Sequence, residues 1–133
     1  MDKAFVVSQS DKRPIYLQIM EQIKRRIAVG DWPEGHALPS IRQLAVDLQI
    51  SVITVKRAYL ELEREGVIVT QQGRGSRVAQ DPDLGLRIHE EELQKHLEHA
   101  ARLSALLGLR PRDLASRLRE ASDTIADKEK DTK

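Results

Sequence analysis

The chain has no cysteine, which removes disulfides, thiolate metal sites and cysteine nucleophiles together and is compatible with a reducing compartment. It has no apolar run approaching the roughly 20 residues of a membrane-spanning helix. Its start, Met1 to Ser10, lacks the basic-then-apolar pattern of a signal peptide, so the expected location is the cytoplasm with no membrane partner. Enzyme signatures are missing as well. There is no phosphate-binding glycine loop followed by Lys, no Gly-x-Ser-x-Gly elbow and no paired His on a zinc helix, so no catalytic residue, metal or cofactor is expected. Nor does one sign of charge dominate: 22 Lys and Arg stand against 21 Asp and Glu in 133 residues. That length suits one domain, or one compact domain with a small appendage.

Near-neutrality over a whole chain can hide two parts of opposite sign. Residues 1–80 carry 12 Lys and Arg against 9 Asp and Glu, and residues 81–133 carry 10 against 12. The first part is mildly basic and the second mildly acidic, a weak preference for a polyanion near the N-terminal half.

After a polar lead, Pro14 opens a stretch in which Ile15, Ile19, Ile23 and Ile27 recur every four residues. This predicts an amphipathic helix over 14–29, with Pro at the tolerated first position and Gly30 at its end. A turn-rich loop, Asp31 to His36, follows. Ser40 with Gln43 reads as a capping box before a helix over 40–48 whose buried face is Ile41, Leu44, Ala45 and Leu48. Ser51 then caps a third helix, with Val55, Ala58, Tyr59 and Leu62 inward, ending near Gly66. Two short helices joined by so brief a turn form a helix-turn-helix. Val67 to Gln71 and Ser76 to Ala79 around Gly73-Arg74-Gly75 predict a β-hairpin, or wing. The fold class is therefore mainly α with a small β-hairpin: a winged helix-turn-helix over residues 1–80. Asp81-Pro82-Asp83 marks its boundary, and 81–133 forms an α-helical hairpin. There, Leu93, Leu97, Ala100, Ser104 and Leu107 line a helix ending at Gly108, and Leu114, Leu118, Ala121 and Ile125 line another from Pro111. The charged tail from Asp127 to Lys133 is expected to fray. Two helices enclose no core alone, so these stripes must bury against a partner or the winged unit.

A DNA-reading helix-turn-helix needs donors at the N-terminal end of its second helix. Ser51, Thr54, Lys56 and Arg57 supply them. Val52 and Ile53 are apolar where exposure is expected; they either meet thymine methyl groups or staple the turn. Arg42, at the start of the first motif helix, can address a guanine edge or a phosphate, or instead pair with Glu34 or Asp47. Ser40 can cap its helix and still meet a phosphate. Gly73-Arg74-Gly75 puts one guanidinium at a flexible hairpin tip, a form suited to a narrow A·T-rich minor groove. His89, His96 and His99 with Glu92 have spacings that permit a metal, but with no further ligand cluster they read as a solvated face.

The blocks Pro14-Ile15-Tyr16-Leu17-Gln18-Ile19, Leu38-Pro39-Ser40-Ile41-Arg42-Gln43-Leu44-Ala45, Thr54-Val55-Lys56-Arg57-Ala58-Tyr59 and Gly73-Arg74-Gly75 resemble, in order and spacing, the DNA-binding domain of the GntR family of bacterial transcription regulators. The short helical C-terminal part is similar to the YtrA subfamily, with its minimal two-helix dimerisation region. The resemblance implies a homodimeric repressor that reads a short inverted repeat in double-stranded DNA, often controlling transporter genes, with contacts from Arg42, Ser51, Lys56, Arg57 and Gly73. A small-molecule effector, where one acts, would sit between subunits or between domains near Trp32 and Tyr16. The dimer interface is expected from Leu93, Leu97, Ala100, Leu107, Leu114, Leu118 and Ile125. Two positions depart from the family pattern. Gln49 stands where many relatives have Gly in the motif turn, and Arg77 takes the place of a wing Phe, so its aliphatic stem is expected to replace that anchor, its head in solvent or on a phosphate. The rival reading is a winged-helix module that docks proteins without reading DNA.

Overall fold

The structure, a computed structural model, describes residues 5–131. They form two compact units, one through Glu90 and the other from Glu91.

In the first unit, Pro14 caps α1 (Ile15–Ala28), whose four-residue isoleucine repeat sets Ile19, Ile23 and Ile27 inward. Helix α2 (Ile41–Leu48) begins where the Ser40 hydroxyl accepts from the Gln43 N–H at 3.1 Å. The capping box is half made, because the Gln43 amide donates to Asp47 at 2.7 Å instead of turning back to the cap. Helix α3 (Val52–Arg64) starts at Ser51, which accepts from the Thr54 N–H at 3.2 Å, and buries Val55, Ala58, Tyr59 and Leu62. Strands β1 (Ile68–Gln71) and β2 (Gly75–Val78) pair antiparallel in the register Ile68 with Val78 and Thr70 with Ser76. A period of two sends Ser76 and Val78 inward and leaves Arg77 out. The loop before α2 lies along the other edge of β2: the N–H groups of Gly35 and Leu38 donate to Val78 and Ser76, and Val78 donates to His36, each at 2.9 Å. That edge is thereby closed to outside strands.

The turn between α2 and α3 is left-handed at Gln49, φ 55° and ψ 45°, the one non-glycine positive φ among the described residues. The Gln49 and Ile50 N–H groups close the helix end on Val46 and Ala45, a Schellman-like stop.

Two features at the ends of this unit add to the expected winged helix-turn-helix. Residues 5–8 run as an arm along α1. The Gln18 side chain exchanges two hydrogen bonds with the backbone of Ser8, at 2.9 and 3.0 Å, and Gln22 does the same with Val6. Phe5 thereby meets Trp32 at 5.9 Å between centroids, while Trp32 stacks on His36 at 5.0 Å and Arg26 lies 4.3 Å over the Phe5 ring. At the other end, α4 (Leu84–Leu106) starts directly after the Asp81-Pro82-Asp83 break and buries Leu84 and Ile88 in the first unit's core. Its start is held by Asp81, which accepts from the Asp83 N–H at 2.9 Å and from Arg87 at 2.8 Å. Those bonds, the backbone one first, keep the Asp81 carboxyl below the usual carboxylate range.

In the second unit the remainder of α4 turns at Gly108, φ 71°, into α5 (Pro111–Asp131). Asp113 accepts from the Arg110 side chain and from its N–H at 3.0 Å, which lowers its pKa. The expectation that the chain frays from Asp127 fails as far as Asp131, where α5 ends. Lys128, Glu129 and Lys130 there favour helix, and the two lysines complement the negative end of its dipole. Residues 132 and 133 lie outside the described range.

Candidate nucleic-acid interface

The start of α3 is organised by two short polar contacts. Ser51 accepts from the Thr54 N–H, and the Ser51 and Thr54 hydroxyls lie 2.9 Å apart. This satisfies the orphan donor of the first turn and leaves the half-buried Thr54 hydroxyl facing its neighbour. Beyond them Ile53 is 79 % exposed and Val52 is 45 % exposed. Of the two readings of this pair, stapling the turn does not describe Ile53. Val55, Ala58, Tyr59 and Leu62 pack inward on the same helix, while Leu60 is exposed with this pair.

Arg42 stands exposed in the first turn of α2, Lys56 in the second turn of α3, and Arg74 at the hairpin tip. Among the described residues no carboxylate pairs with any of the three. Asp47, a possible partner for Arg42, is bonded by Gln43 instead. Unneutralised cations are what a polyanion site needs, since each phosphate contact releases a condensed counterion. Ser40, whose hydroxyl is already the α2 cap, remains exposed.

The hairpin tip depends on its glycines. Gly73 has φ 81° and Gly75 φ 72°, so a β-carbon at either would be strained wherever the space around it is open. Between them the Arg74 N–H donates to Gln71 at 2.9 Å and the side chain is left outward. The root of the wing is fastened by a hydroxyl pair, Thr70 to Ser76 at 2.8 Å, and by the Thr70 N–H on Glu63 of α3 at 3.3 Å. Arg77 is exposed, and its Nη1 donates to the Gly35 carbonyl at 3.1 Å. It ties the wing to the loop before α2.

Tyr59 was legible in the sequence only as part of a buried face. Its hydroxyl donates to the Pro39 carbonyl at 2.7 Å, just before the α2 cap. Burial pushes its pKa well up. The bond connects the interior of α3 to the segment that presents Ser40 and Arg42. A phenol among aliphatic core residues was the available signal, because a buried hydroxyl needs a partner. Tyr16 is the other residue missed: the Arg57 guanidinium lies 3.9 Å over its ring and Nη2 donates to its hydroxyl at 3.3 Å.

The histidines of α4 gather no metal set; among the described residues no cluster of three potential ligands occurs. His89 meets the Ala28 carbonyl at 3.1 Å, and His96 pairs with Glu92 at 3.6 Å. No helix in the described residues is long and apolar enough to cross a membrane. Of the residues expected at a dimer interface, Leu93, Leu97, Leu107, Leu118 and Ile125 are exposed, Leu97 least at 42 % and Leu107 most at 66 %. Ala100 and Leu114 are half-buried.

The profile of bacterial regulatory proteins of the gntR family matches residues 15–78, from the first helical residue to the last residue of the wing. The HTH-type transcriptional regulator YhcF of Bacillus subtilis is 34 % identical over 109 residues, covering 82 % of this chain and 87 % of YhcF. The HTH-type transcriptional repressor YtrA of the same organism is 44 % identical over 68 residues, about half of each chain at 51 % and 52 %. Among solved structures, YtrA from Sulfolobus acidocaldarius, a GntR-family transcription factor, is 34 % identical with a TM-score of 0.60, and the alignment covers 75 % of this chain and 99 % of that one. The likeness to YhcF, over 109 residues, thus runs past residue 78, where the family profile stops. These proteins regulate transcription and are not enzymes, and the chain belongs with them as a DNA-binding, YtrA-like winged helix-turn-helix member of the GntR family.

Proposed function

We propose that the protein is a homodimeric repressor that binds an inverted-repeat operator, reading one half-site with each α3 and wing. The observation that carries this reading is that Arg42, Lys56 and Arg74, at the starts of α2 and α3 and at the wing tip, are exposed and pair with no carboxylate among the described residues, with Ile53 exposed in the first turn of α3. Arg42 and Lys56 are assigned to base edges or phosphates, Arg57 and Ser51 to phosphates, Ser40 and Thr54 to the rim of the same contact, and Val52 and Ile53 to thymine methyl groups. Arg74, flanked by Gly73 and Gly75, enters the minor groove. Each base-reading side chain is worth about 1–3 kcal/mol of discrimination. A head with so modest an excess of positive charge needs placed side chains and two-site binding to reach specific affinity.

Pairing is assigned to Leu93, Leu97, Ala100, Leu107, Leu114, Leu118 and Ile125, of which Leu93, Leu97, Leu107, Leu118 and Ile125 are exposed. A two-fold axis there would repeat the head and space the half-sites by about 34 Å, one turn of B-DNA. Selection of bound duplexes from a random pool tests the whole reading. A two-fold symmetric consensus is expected, with Lys56→Ala and Arg42→Ala each relaxing one symmetric pair of positions. An unsymmetric or absent consensus refutes it.

A further inference from the structure

We infer that Tyr16 is a positioning residue that holds the Arg57 guanidinium ready for a DNA phosphate. The inference rests on the reading of Arg57 as a DNA contact and adds how that contact is prepared. Tyr16 lies in the first turn of α1 and Arg57 in the second turn of α3, 41 residues apart. The guanidinium carbon sits 3.9 Å from the ring centroid, and only one of the five N–H groups is spent, on the phenol oxygen at 3.3 Å.

The choice of partner is what points to DNA. A carboxylate would fix the side chain equally well, but it would cancel the charge on which phosphate attraction depends. An aromatic face restrains the cation and leaves its full charge in place. Arg57 is exposed and Tyr16 half-buried, so the ring is anchored in the head while the cation faces outward. A long side chain already confined to one pose loses less freedom on binding, which raises affinity with no new contact. A stack serving only to join α1 to α3 is unneeded, because Ile19, Ile23, Val55 and Leu62 already fill the core between them.

The test uses the intact protein and a duplex selected by it from a random pool, titrated over a range of salt. Arg57→Ala should weaken binding about tenfold and lower the salt slope by about one counterion. Tyr16→Phe keeps the stack and should bind within about twofold of the parent, whereas Tyr16→Leu keeps apolar volume without a ring and should lose about fivefold. Arg57→Lys should lose affinity with an unchanged slope, since charge is kept and planar stacking is not. The decisive outcome is non-additivity: Tyr16→Leu in the Arg57→Ala background should cost nothing further. An undiminished Tyr16→Leu cost there, or no cost alone, overturns the inference. If Arg57→Ala itself changes neither affinity nor slope, the reading of Arg57 as a DNA contact fails first and takes this with it. An NMR measurement on the DNA-free protein gives a second arm: the Arg57 δ-protons should be shifted upfield by the ring and lose that shift in Tyr16→Leu. Unshifted δ-protons in the parent would also overturn it.

Discussion

Replacing Gln49 with glycine should stabilise the protein, although it deletes a side chain in the middle of the DNA-binding motif. Gln49 has φ 55° and ψ 45°. A residue with a β-carbon pays roughly 1–2 kcal/mol there, because that carbon crowds the following carbonyl oxygen, and glycine pays almost none. Against this, glycine loosens the unfolded chain and returns about 0.4–1 kcal/mol of the gain. The Gln49 side chain is exposed and makes no hydrogen bond among the described residues, so nothing else is lost. Its backbone N–H keeps its bond to Val46. The net expectation is a gain of about 0.5–1 kcal/mol. For a unit of this size, that raises the melting midpoint by roughly 2–8 °C. Urea unfolding at fixed protein concentration is the assay, since oligomerisation would make the midpoint concentration-dependent; the slope should be unchanged. Gln49→Ala is the control, because it removes the same side chain and keeps the strained β-carbon. If alanine stabilises as much as glycine, or if glycine gives no gain, backbone strain at this turn is not the reason.

Tyr59→Phe should cost about 1–2 kcal/mol by stranding the Pro39 carbonyl, as read by chemical denaturation. In the parent the raised Tyr59 pKa means the folded state holds that proton more tightly. Stability is therefore complete below the ordinary tyrosine range and declines as pH rises beyond it, and Tyr59→Phe should flatten the alkaline limb. At the acid end the sign reverses. Asp81 and Asp113 both have lowered pKa values, so their contribution is present above about pH 4 and fades below it; Asp81→Asn should shrink the stability slope between about pH 4 and 2. Leu97→Glu should convert the proposed dimer to monomer in sedimentation velocity, and a variant that stays fully dimeric removes Leu97 from the proposed interface. Arg74→Ala should weaken binding mainly on sites with A·T-rich flanks; equal loss on G·C-rich flanks would make Arg74 an ordinary phosphate contact.

Apart from the C-terminal end of α5, the helices are legible to within about two residues because their apolar periods are unbroken and their ends carry Pro14, Gly30, Ser40, Ser51 and Gly108. The hairpin was legible from β-branched residues around two glycines. What escaped was whatever depends on a side chain having a choice of partners. Gln43 could complete a capping box or reach Asp47, and both spacings are helical. Nothing local shows that the head of Arg77 bonds the Gly35 carbonyl 42 residues away. The Asp81-Pro82-Asp83 break looked like the end of the head, yet Leu84 and Ile88, four apart, carry its core onward into α4. That pair was the signal, outweighed by the proline. The arm was read as a polar lead because no local pattern shows that Phe5 finds Trp32. Nor does any local pattern show that the Tyr16 ring meets Arg57, 41 residues on.

The arm along α1 has a consequence for sequence tolerance. Amides four residues apart on a helix repeat at about 6 Å, and alternate residues of an extended chain repeat at about 6.6 Å. Gln18 and Gln22 therefore offer a helix surface that a strand can dock on as though it were a sheet edge. They grip only main-chain atoms of Val6 and Ser8. The path of the arm is thus specified by two residues that are not in it. Its exposed side chains can drift freely, but proline at position 6 or 8 would erase a donor that no other residue supplies.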